Sequence, residues 1–299
     1  MQPPLTGIFV PLITPFDIDG TIAIDDLRRL ADHVLDEGAA GIVALGTTAE
    51  SATLSPDERR RVVETCGQAC AEHGSPLIVG AGTNDTLGTR TLIQSLCGST
   101  EIAAFLTVVP YYSRPSEEGV VAHFEYLTQH CPIPLIIYNV PYRTGQALGV
   151  PTILRIADLP GVVGIKQSVG SVDTDTAQLI ADAPQGFSVL AGEDTLVSPL
   201  LAMGAHGAIL ATANVYPAEF ATLYRLWHNK NVASARAIGN QLVTPALTLM
   251  STPNPTSIKA VLHATGRISS PMVRLPLLPV PAPAAVISAL PASVVEPVA

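Results

Sequence analysis

The chain alternates regularly between short apolar runs and longer amphipathic stretches from residue 7 to about residue 228. The apolar runs are rich in Val, Ile and Leu and show no polar alternation, which is typical of parallel strands buried on both faces. Eight such strands are predicted, at residues 7–11, 41–45, 76–80, 104–109, 135–138, 162–166, 187–191 and 207–210.

The stretches between these runs have the signals of amphipathic helices. Apolar side chains recur at helical spacing over 25–37, and Ser55 and Glu58 occupy N-cap and third positions of a predicted helix. Further helices are expected to open at 114–118 and to cover 217–227. Strands and helices therefore alternate along the chain.

Eight strand–helix units predict an α/β protein that folds as one (β/α)8 barrel, also called a TIM barrel. A doubly wound open sheet is the alternative. That alternative is disfavoured because no glycine-rich dinucleotide or phosphate motif follows the first strand.

Residues after the barrel are expected to form a helical extension. We predict a catalytic barrel over 1–228 and an extension over 229–299, with helices at 232–249 and 257–265 and a proline-rich tail. Residues 275–295 are uncharged and long enough to cross a bilayer, but they contain five prolines. Because proline breaks a continuous helix, we expect no membrane span and only a short helix at 284–290.

The charge balance narrows the classes of partner. Lys and Arg total 16 against 25 Asp and Glu, a net charge of -9, so a nucleic-acid surface is not expected. The first basic residue is Arg28, so no basic segment of a signal peptide precedes an apolar stretch, and we expect a cytoplasmic protein. The chain has only three lysines: Lys166, Lys230 and Lys259.

Polar residues that end the predicted strands are the candidate site, because barrel chemistry occurs at the C-terminal ends of strands. The residues that meet this condition are Thr47, Thr48, Glu50, Gly82, Thr83, Asn84, Tyr111, Tyr112, Tyr138, Asn139, Arg143, Lys166, Glu193, Asp194, Thr212 and Asn214.

Lys166 is the most informative of these residues, because it ends an otherwise apolar strand. Position alone leaves two interpretations open: an ion pair with a carboxylate, or a desolvated amine that forms a Schiff base with a carbonyl. Tyr138 and Tyr112 end neighbouring strands and, with the Thr47 hydroxyl, would suit a proton relay. This convergence favours the Schiff base.

Two other segments suit the binding of carboxylates. Thr47 and Thr48 precede a predicted helix, and their backbone N–H groups and hydroxyls would suit one carboxylate. The planar guanidinium of Arg143 would suit a second one, although a loop ion pair is the alternative role for this arginine.

Four segments resemble one known family in order and spacing. They are GTTAESATL at 46–54, VPYYSRP at 109–115, YNVPYRTG at 138–145 and VGIK at 163–166. On these segments the chain resembles the dihydrodipicolinate synthase / N-acetylneuraminate lyase family, from about residue 5 to residue 278.

The resemblance implies a class I, pyruvate-dependent aldolase without a metal or organic cofactor, because the lysine imine is the electron sink. Lys166 would form the imine with pyruvate, and Tyr138 would donate and accept protons. Thr47 and Tyr112 would complete the relay, with Tyr112 reaching the site of a neighbouring subunit. A homodimer is then the smallest active unit, and a homotetramer is the family's usual state.

The resemblance also implies how substrates bind. The backbone N–H of Thr48 would hold the pyruvate carboxylate, Ile209 would lie against pyruvate, and Arg143 would hold the carboxylate of the aldehyde. This arginine motif favours the condensation of pyruvate with aspartate 4-semialdehyde on the lysine pathway. The alternatives are another aldolase or lyase of the family, acting on a keto-sugar acid or N-acetylneuraminate, and a non-catalytic barrel that binds or scaffolds.

Several positions depart from the family pattern. Ala49 replaces a glycine, which would cost about 1 kcal/mol if the backbone there has positive φ. Gln167 follows the lysine where an acidic residue is common, so the local charge would differ. Pro56, Arg59 and Gly88 occupy positions that bind lysine in lysine-inhibited relatives, which predicts little or no inhibition by lysine.

Overall fold

A computed structural model describes residues 4–98 and 100–289 and shows a closed barrel of eight parallel strands. The strands follow one another in chain order, and β8 pairs with β1 to close the barrel. They are β1 Gly7–Pro11, β2 Gly41–Ala44, β3 Leu77–Gly80, β4 Ala104–Val108, β5 Leu135–Asn139, β6 Val162–Gln167, β7 Ser188–Ala191 and β8 Gly207–Ile209. The predicted (β/α)8 barrel is confirmed, and the open sheet is excluded.

Helices surround the barrel and continue beyond it. They are α1 Ile24–Asp36, α2 Pro56–Glu72, α3 Thr86–Leu96, α4 Glu117–His130, α5 Pro141–Thr144, α6 Val150–Ala157, α7 Thr174–Asp182, α8 Val197–Met203, α9 Pro217–His228, α10 Val232–Leu249, α11 Thr256–Ala264 and α12 Ala284–Ala289. The predicted helices at 25–37, 217–227 and 257–265 are each present with ends shifted by one residue.

The core has two layers, as expected when each strand is covered on both faces. The inner layer fills the barrel and includes Phe9, Ile78, Ile136, Leu190 and Ile209. The outer layer packs the other faces of the strands against the surrounding helices. Both strand faces are therefore buried, which explains the continuously apolar runs.

The starts of helices α2 and α4 agree with the local signals in the sequence. Ser55 and Glu58 form the predicted capping box at the start of α2. Helix α4 begins at Glu117 with Ser116 as its N-cap, within the predicted range 114–118. The helix does not begin at Arg114, because that residue has a φ of +49° and cannot belong to a right-handed helix.

Tight packing at the C-terminal end of the barrel shapes the loop after β2. A Cβ built on Gly80 would lie 2.3 Å from the carbonyl oxygen of Leu45, so only glycine fits beneath this turn. Leu45 itself has a φ of +55°, which turns the chain sharply out of β2. The polar residues from Thr47 onward are thereby placed over the barrel mouth.

The predicted extension returns to the barrel. Helix α10 packs against α9 and the turn after β7, and α11 follows it. The predicted helix at 284–290 is seen as α12, whereas residues 290–299 of the predicted tail lie outside the described residues. No helix in the described part of the chain is long and apolar enough to cross a membrane.

Candidate active site

Two adjoining cavities open at the C-terminal ends of the strands. The smaller one has a volume of about 220 Å³ and the larger one about 670 Å³. Both are lined by Gly46, Thr47, Leu106, Tyr138, Arg143 and Asn254. Only the smaller one is lined by Lys166 as well, so we take it as the candidate reaction site.

Lys166 and Tyr138 lie side by side on neighbouring strands. The two residues are paired in the register between β5 and β6, and each is at most 9% exposed. The Lys166 Nζ lies 4.6 Å from the centroid of the Tyr138 ring. Among the described residues no carboxylate lies within ion-pair distance of this amine, so the ion-pair interpretation of Lys166 is not what the structure shows.

Two carboxylates, Glu193 and Asp194, line the smaller cavity just after β7, the strand that pairs with the Lys166 strand. Asp194 accepts hydrogen bonds from the backbone N and the Oγ1 of Thr212, both at 2.6 Å, and so ties the end of β7 to the end of β8. Burial raises the pKa of both Glu193 and Asp194, and the Lys166 charge only partly opposes that rise. Both carboxyl groups line the cavity, but the side chain of Asp194 is already engaged by Thr212.

The loop after β2 forms another wall. Thr47 and Thr48 lie in a short 3-10 turn, and both line the smaller cavity. The Thr48 Oγ1 accepts a hydrogen bond of 2.9 Å from the Nδ2 of Asn254, which belongs to the loop before α11. The C-terminal extension therefore holds the residue that is expected to bind a carboxylate.

The departure at Ala49 carries no backbone strain. Ala49 lies inside the 3-10 turn, and the left-handed residue is its successor, Glu50, with a φ of +52°. The Glu50 carboxylate is fully buried and is fixed by Lys259 Nζ at 2.5 Å and by the backbone N of Arg274 at 2.9 Å. The free-energy cost that alanine would have at a position with positive φ therefore does not apply to Ala49.

Gln167 is directed away from the reacting amine, because successive residues of a strand face opposite sides. Its Oε1 accepts a hydrogen bond of 2.9 Å from Asn139, and its Nε2 donates to Thr176 at 3.3 Å. The side chain is neutral and fully hydrogen-bonded between the barrel and α7. The Gln167 side chain therefore does not face the cavity, so the predicted difference in charge lies outside the reaction site.

Arg143 lines both cavities from the one-turn helix α5. Its Nε donates a hydrogen bond of 2.9 Å to the hydroxyl of Tyr142, and its guanidinium carbon lies 4.9 Å from the centroid of that ring. No acidic residue in the described ranges pairs with Arg143, so the alternative of a loop ion pair is not observed. The guanidinium is available to an anionic ligand.

Of the seven residues to which the family resemblance gives a role, two do not line the smaller cavity. Tyr112 is 89% exposed, has a φ of +70° and is not among the lining residues. Ile209 is fully buried in the inner core layer, in the same cluster as Tyr138. The structure therefore groups Lys166, Tyr138, Thr47, Thr48 and Arg143 and leaves these two outside.

Sequence reasoning missed the part of the site that comes from the extension. Leu247 and Met250, at the end of α10, line the smaller cavity together with Asn254. Ser168, just after β6, also lines it, and its buried Oγ has no hydrogen-bond partner in the described residues. A polar Asn in the short loop between two predicted helices was the available signal for Asn254.

The lining of the larger cavity is relevant to the prediction that free lysine inhibits this protein little or not at all. Arg59 and Tyr111 line it, and the Arg59 guanidinium donates to the Ser51 carbonyl at 3.1 and 3.3 Å. A positive charge therefore lies on this wall and repels a cationic ligand. Weak inhibition by lysine stays a prediction.

Comparison with known proteins agrees with the fold and the motifs. The sequence profile of the Dihydrodipicolinate synthetase family matches residues 4–285. A 4-hydroxy-tetrahydrodipicolinate synthase of Neisseria gonorrhoeae is 41% identical over 275 residues, which cover 92% of this chain and 93% of that protein.

Solved structures give the same result. A chloride-inhibited dihydrodipicolinate synthase from Acinetobacter baumannii, complexed with pyruvate, has a TM-score of 0.87 at 32% identity and covers 92% of this chain and 93% of that one. The lysine-bound enzyme from Cyanidioschyzon merolae has a TM-score of 0.87 at 27% identity, with 95% of both chains covered. The profile match and the 41% identity show that this chain belongs to the Dihydrodipicolinate synthetase family.

Proposed function

We propose that this protein condenses pyruvate with L-aspartate 4-semialdehyde to give 4-hydroxy-tetrahydrodipicolinate, a step of lysine and diaminopimelate biosynthesis. The observation that carries the proposal is the buried Lys166 amine, which has no ion-pair partner in the described residues and lies beside Tyr138 in a cavity of about 220 Å³. The similarity to proteins named for this synthase favours this aldehyde over a sugar acid.

The reaction begins with covalent capture of pyruvate. The Lys166 Nζ attacks the C2 carbonyl carbon, and loss of water gives a protonated imine. That imine withdraws electrons, so a proton leaves C3 and an enamine forms. The enamine carbon then attacks the aldehyde carbon, and a proton moves to the new alkoxide. Attack of the substrate's own amine on the imine carbon closes the ring and releases Lys166.

Each proton transfer needs a group that both donates and accepts, and the role falls to Tyr138, whose ring lies beside Lys166. In this proposal the relay is extended by Thr47 of the same chain and by the partner subunit's Tyr112. The exposed side chain of Tyr112 is consistent with that role, because it is free to reach a second copy. The active form would then be a cytoplasmic homodimer or homotetramer, with no nucleic acid or membrane as partner.

Binding roles follow from the walls of the cavities. The Thr48 backbone N–H would hold the pyruvate carboxylate, Ile209 would support the site from the barrel interior, and Arg143 would hold the carboxylate of the aldehyde. Residues 1–228 supply the catalytic barrel in this scheme. The extension over 229–299 supplies a wall of the site through Leu247 and Asn254.

Borohydride trapping tests the proposal directly. The protein is incubated with pyruvate, reduced with sodium borohydride, and examined by intact mass and peptide mapping. We expect a single reduced-pyruvate adduct, located on Lys166, and its loss in Lys166→Met but not in Lys230→Met, a change at an exposed lysine. Folded protein that gives no adduct, or an adduct on another lysine, would contradict the proposed chemistry.

A substrate panel then tests the aldehyde. Enzyme that traps pyruvate is expected to consume aspartate 4-semialdehyde in preference to sugar aldehydes and N-acetylmannosamine. Preference for a sugar would leave the imine chemistry in place and overturn the proposed substrate.

A further inference from the structure

Tyr142 and Arg143 are neighbours in sequence whose side chains meet at the cavity. Adjacent residues of a helix point about 100° apart and do not normally contact each other. In α5 the Arg143 side chain nevertheless bends back over the Tyr142 ring, with its guanidinium carbon 4.9 Å from the centroid. Its Nε donates to the Tyr142 hydroxyl at 2.9 Å. The guanidinium is therefore held at two points.

This arrangement leaves a defined set of donors facing the smaller cavity, which both residues line. Nε is occupied, whereas neither Nη of Arg143 donates to a described residue. The Tyr142 oxygen accepts from Arg143, so the hydroxyl hydrogen remains available. Tyr142 is partly exposed, and partial desolvation raises its pKa against the opposing Arg143 charge, so the phenol is protonated at neutral pH.

We propose that Tyr142 is a specificity-determining residue that orients Arg143 and donates its hydroxyl hydrogen to the carboxylate of the aldehyde substrate. The inference rests on the proposed function, and it concerns only the second substrate. The two Nη groups and the hydroxyl place donors on three atoms, and a carboxylate, with two oxygens and about four lone-pair sites, can accept from all three. A neutral group at the same end of the aldehyde would not use all three.

The chain contains a matched control for this pair. Arg90 of α3 donates through Nη1 to the Tyr126 hydroxyl of α4 at 2.7 Å, and its guanidinium lies 5.9 Å from that ring. Neither residue lines either cavity at the barrel mouth. Loss of the tyrosine hydroxyl there removes the same kind of hydrogen bond far from the candidate site.

The test compares Tyr142→Phe with Tyr126→Phe, since phenylalanine keeps the ring under the guanidinium in both. For Tyr142→Phe we expect the KM for aspartate 4-semialdehyde to rise roughly three- to tenfold, the effect of one lost hydrogen bond. We expect kcat, the KM for pyruvate and the borohydride adduct to stay unchanged. Tyr126→Phe is expected to match wild type in all four measurements.

An analogue of the aldehyde in which hydrogen replaces the carboxylate offers no acceptor to the Tyr142 hydroxyl, so it separates recognition of the carboxylate from general packing. With this analogue, Tyr142→Phe and wild type are expected to have the same KM. An unchanged KM for the carboxylate substrate, or an equal rise for both aldehydes, would overturn the inference. Wild-type protein that fails to trap pyruvate would instead overturn the proposed function, and the inference with it.

Discussion

The two buried lysines of this protein have opposite surroundings. Lys259 is fully buried, lies 2.5 Å from Glu50 and also donates to the Met272 carbonyl at 2.9 Å. Lys166 is also buried, at 8% exposure, yet it has no ion-pair partner in the described residues and lines a cavity. Each amine also lies against an aromatic ring, Phe16 for Lys259 and Tyr138 for Lys166.

The difference shows that burial of a lysine does not by itself identify a reactive amine. Burial lowers the pKa of Lys259 to about 8, and the Glu50 charge only partly offsets this effect. The Lys259 amine nevertheless lines neither cavity at the barrel mouth, so no substrate carbonyl reaches it. An unpaired amine beside an open volume is what distinguishes Lys166.

Lys259 acts on the site through the backbone. It holds Glu50, whose left-handed conformation ends the turn that contains Thr47 and Thr48. A strained loop residue keeps its geometry only where the surroundings fix it. We therefore expect Lys166 to form the imine. We expect Lys259 to maintain the shape of the loop that binds a carboxylate.

Lys166→Met is expected to give the largest effect. Removal of the imine-forming amine should lower kcat/KM by at least about 1000-fold, as for loss of a covalent nucleophile. The urea midpoint should stay the same or rise, because methionine buries no unpaired polar group. Steady-state kinetics and urea denaturation together check this. A large loss of stability in Lys166→Met would show that Lys166, like Lys259, is structural.

Lys259→Met should show the reverse pattern. It leaves the Glu50 carboxylate buried without its partner, so the free energy of unfolding should fall by about 3–5 kcal/mol. Urea denaturation measures this, with the exposed Lys230→Met as control, expected to differ from wild type by less than about 0.5 kcal/mol.

The double variant Glu50→Gln/Lys259→Met sharpens this prediction. Removal of both charges should recover part of the loss, because a buried unpaired charge costs more than a neutral pair. Folded Lys259→Met should still trap pyruvate on Lys166. If Lys259→Met is as stable as the control, the role assigned to the ion pair is wrong.

The fold and the centre of the site were predictable because their signals are local. Continuous apolar runs predicted buried parallel strands, and their carboxyl ends necessarily meet at one end of a closed barrel. Tyr138 and Lys166 end consecutive strands, so their pairing in the register follows from the fold itself. The predictions of fold, family and enzyme class are confirmed.

The contacts of the extension were not predictable, because they join residues far apart in sequence. Asn254 and Thr48 are separated by 206 positions, and Arg274 and Glu50 by 224. No local periodicity marks such a pair, and a lone Lys or Asn on a helix or loop has many possible partners. The roles predicted for Tyr112 and Ile209 stay predictions, since neither side chain lines the smaller cavity of a single chain.

The smallest expected effect concerns Glu58 and Arg274, an ion pair that anchors the extension beside the same loop. Hydrogen bonding to Arg274 lowers the pKa of Glu58 from 4.5 to about 2. A carboxyl with a lowered folded pKa stabilises the fold fully above the unfolded value, and this stabilisation disappears as the pH falls toward 2. Because the pair is partly exposed to solvent, its contribution should stay below about 1 kcal/mol.

Glu58→Gln should therefore be less stable than wild type at pH 6, and the difference should shrink between pH 4.5 and pH 2. Urea midpoints at a series of pH values measure it, and the difference between the two proteins removes acid effects that both share. Glu118→Gln breaks a more exposed pair with Arg155 and is expected to change less. A difference between Glu58→Gln and wild type that does not depend on pH would mean that the helix cap at Ser55, rather than the ion pair, accounts for the effect. In that case Lys259 alone would fasten the extension to the carboxylate-binding loop by charge.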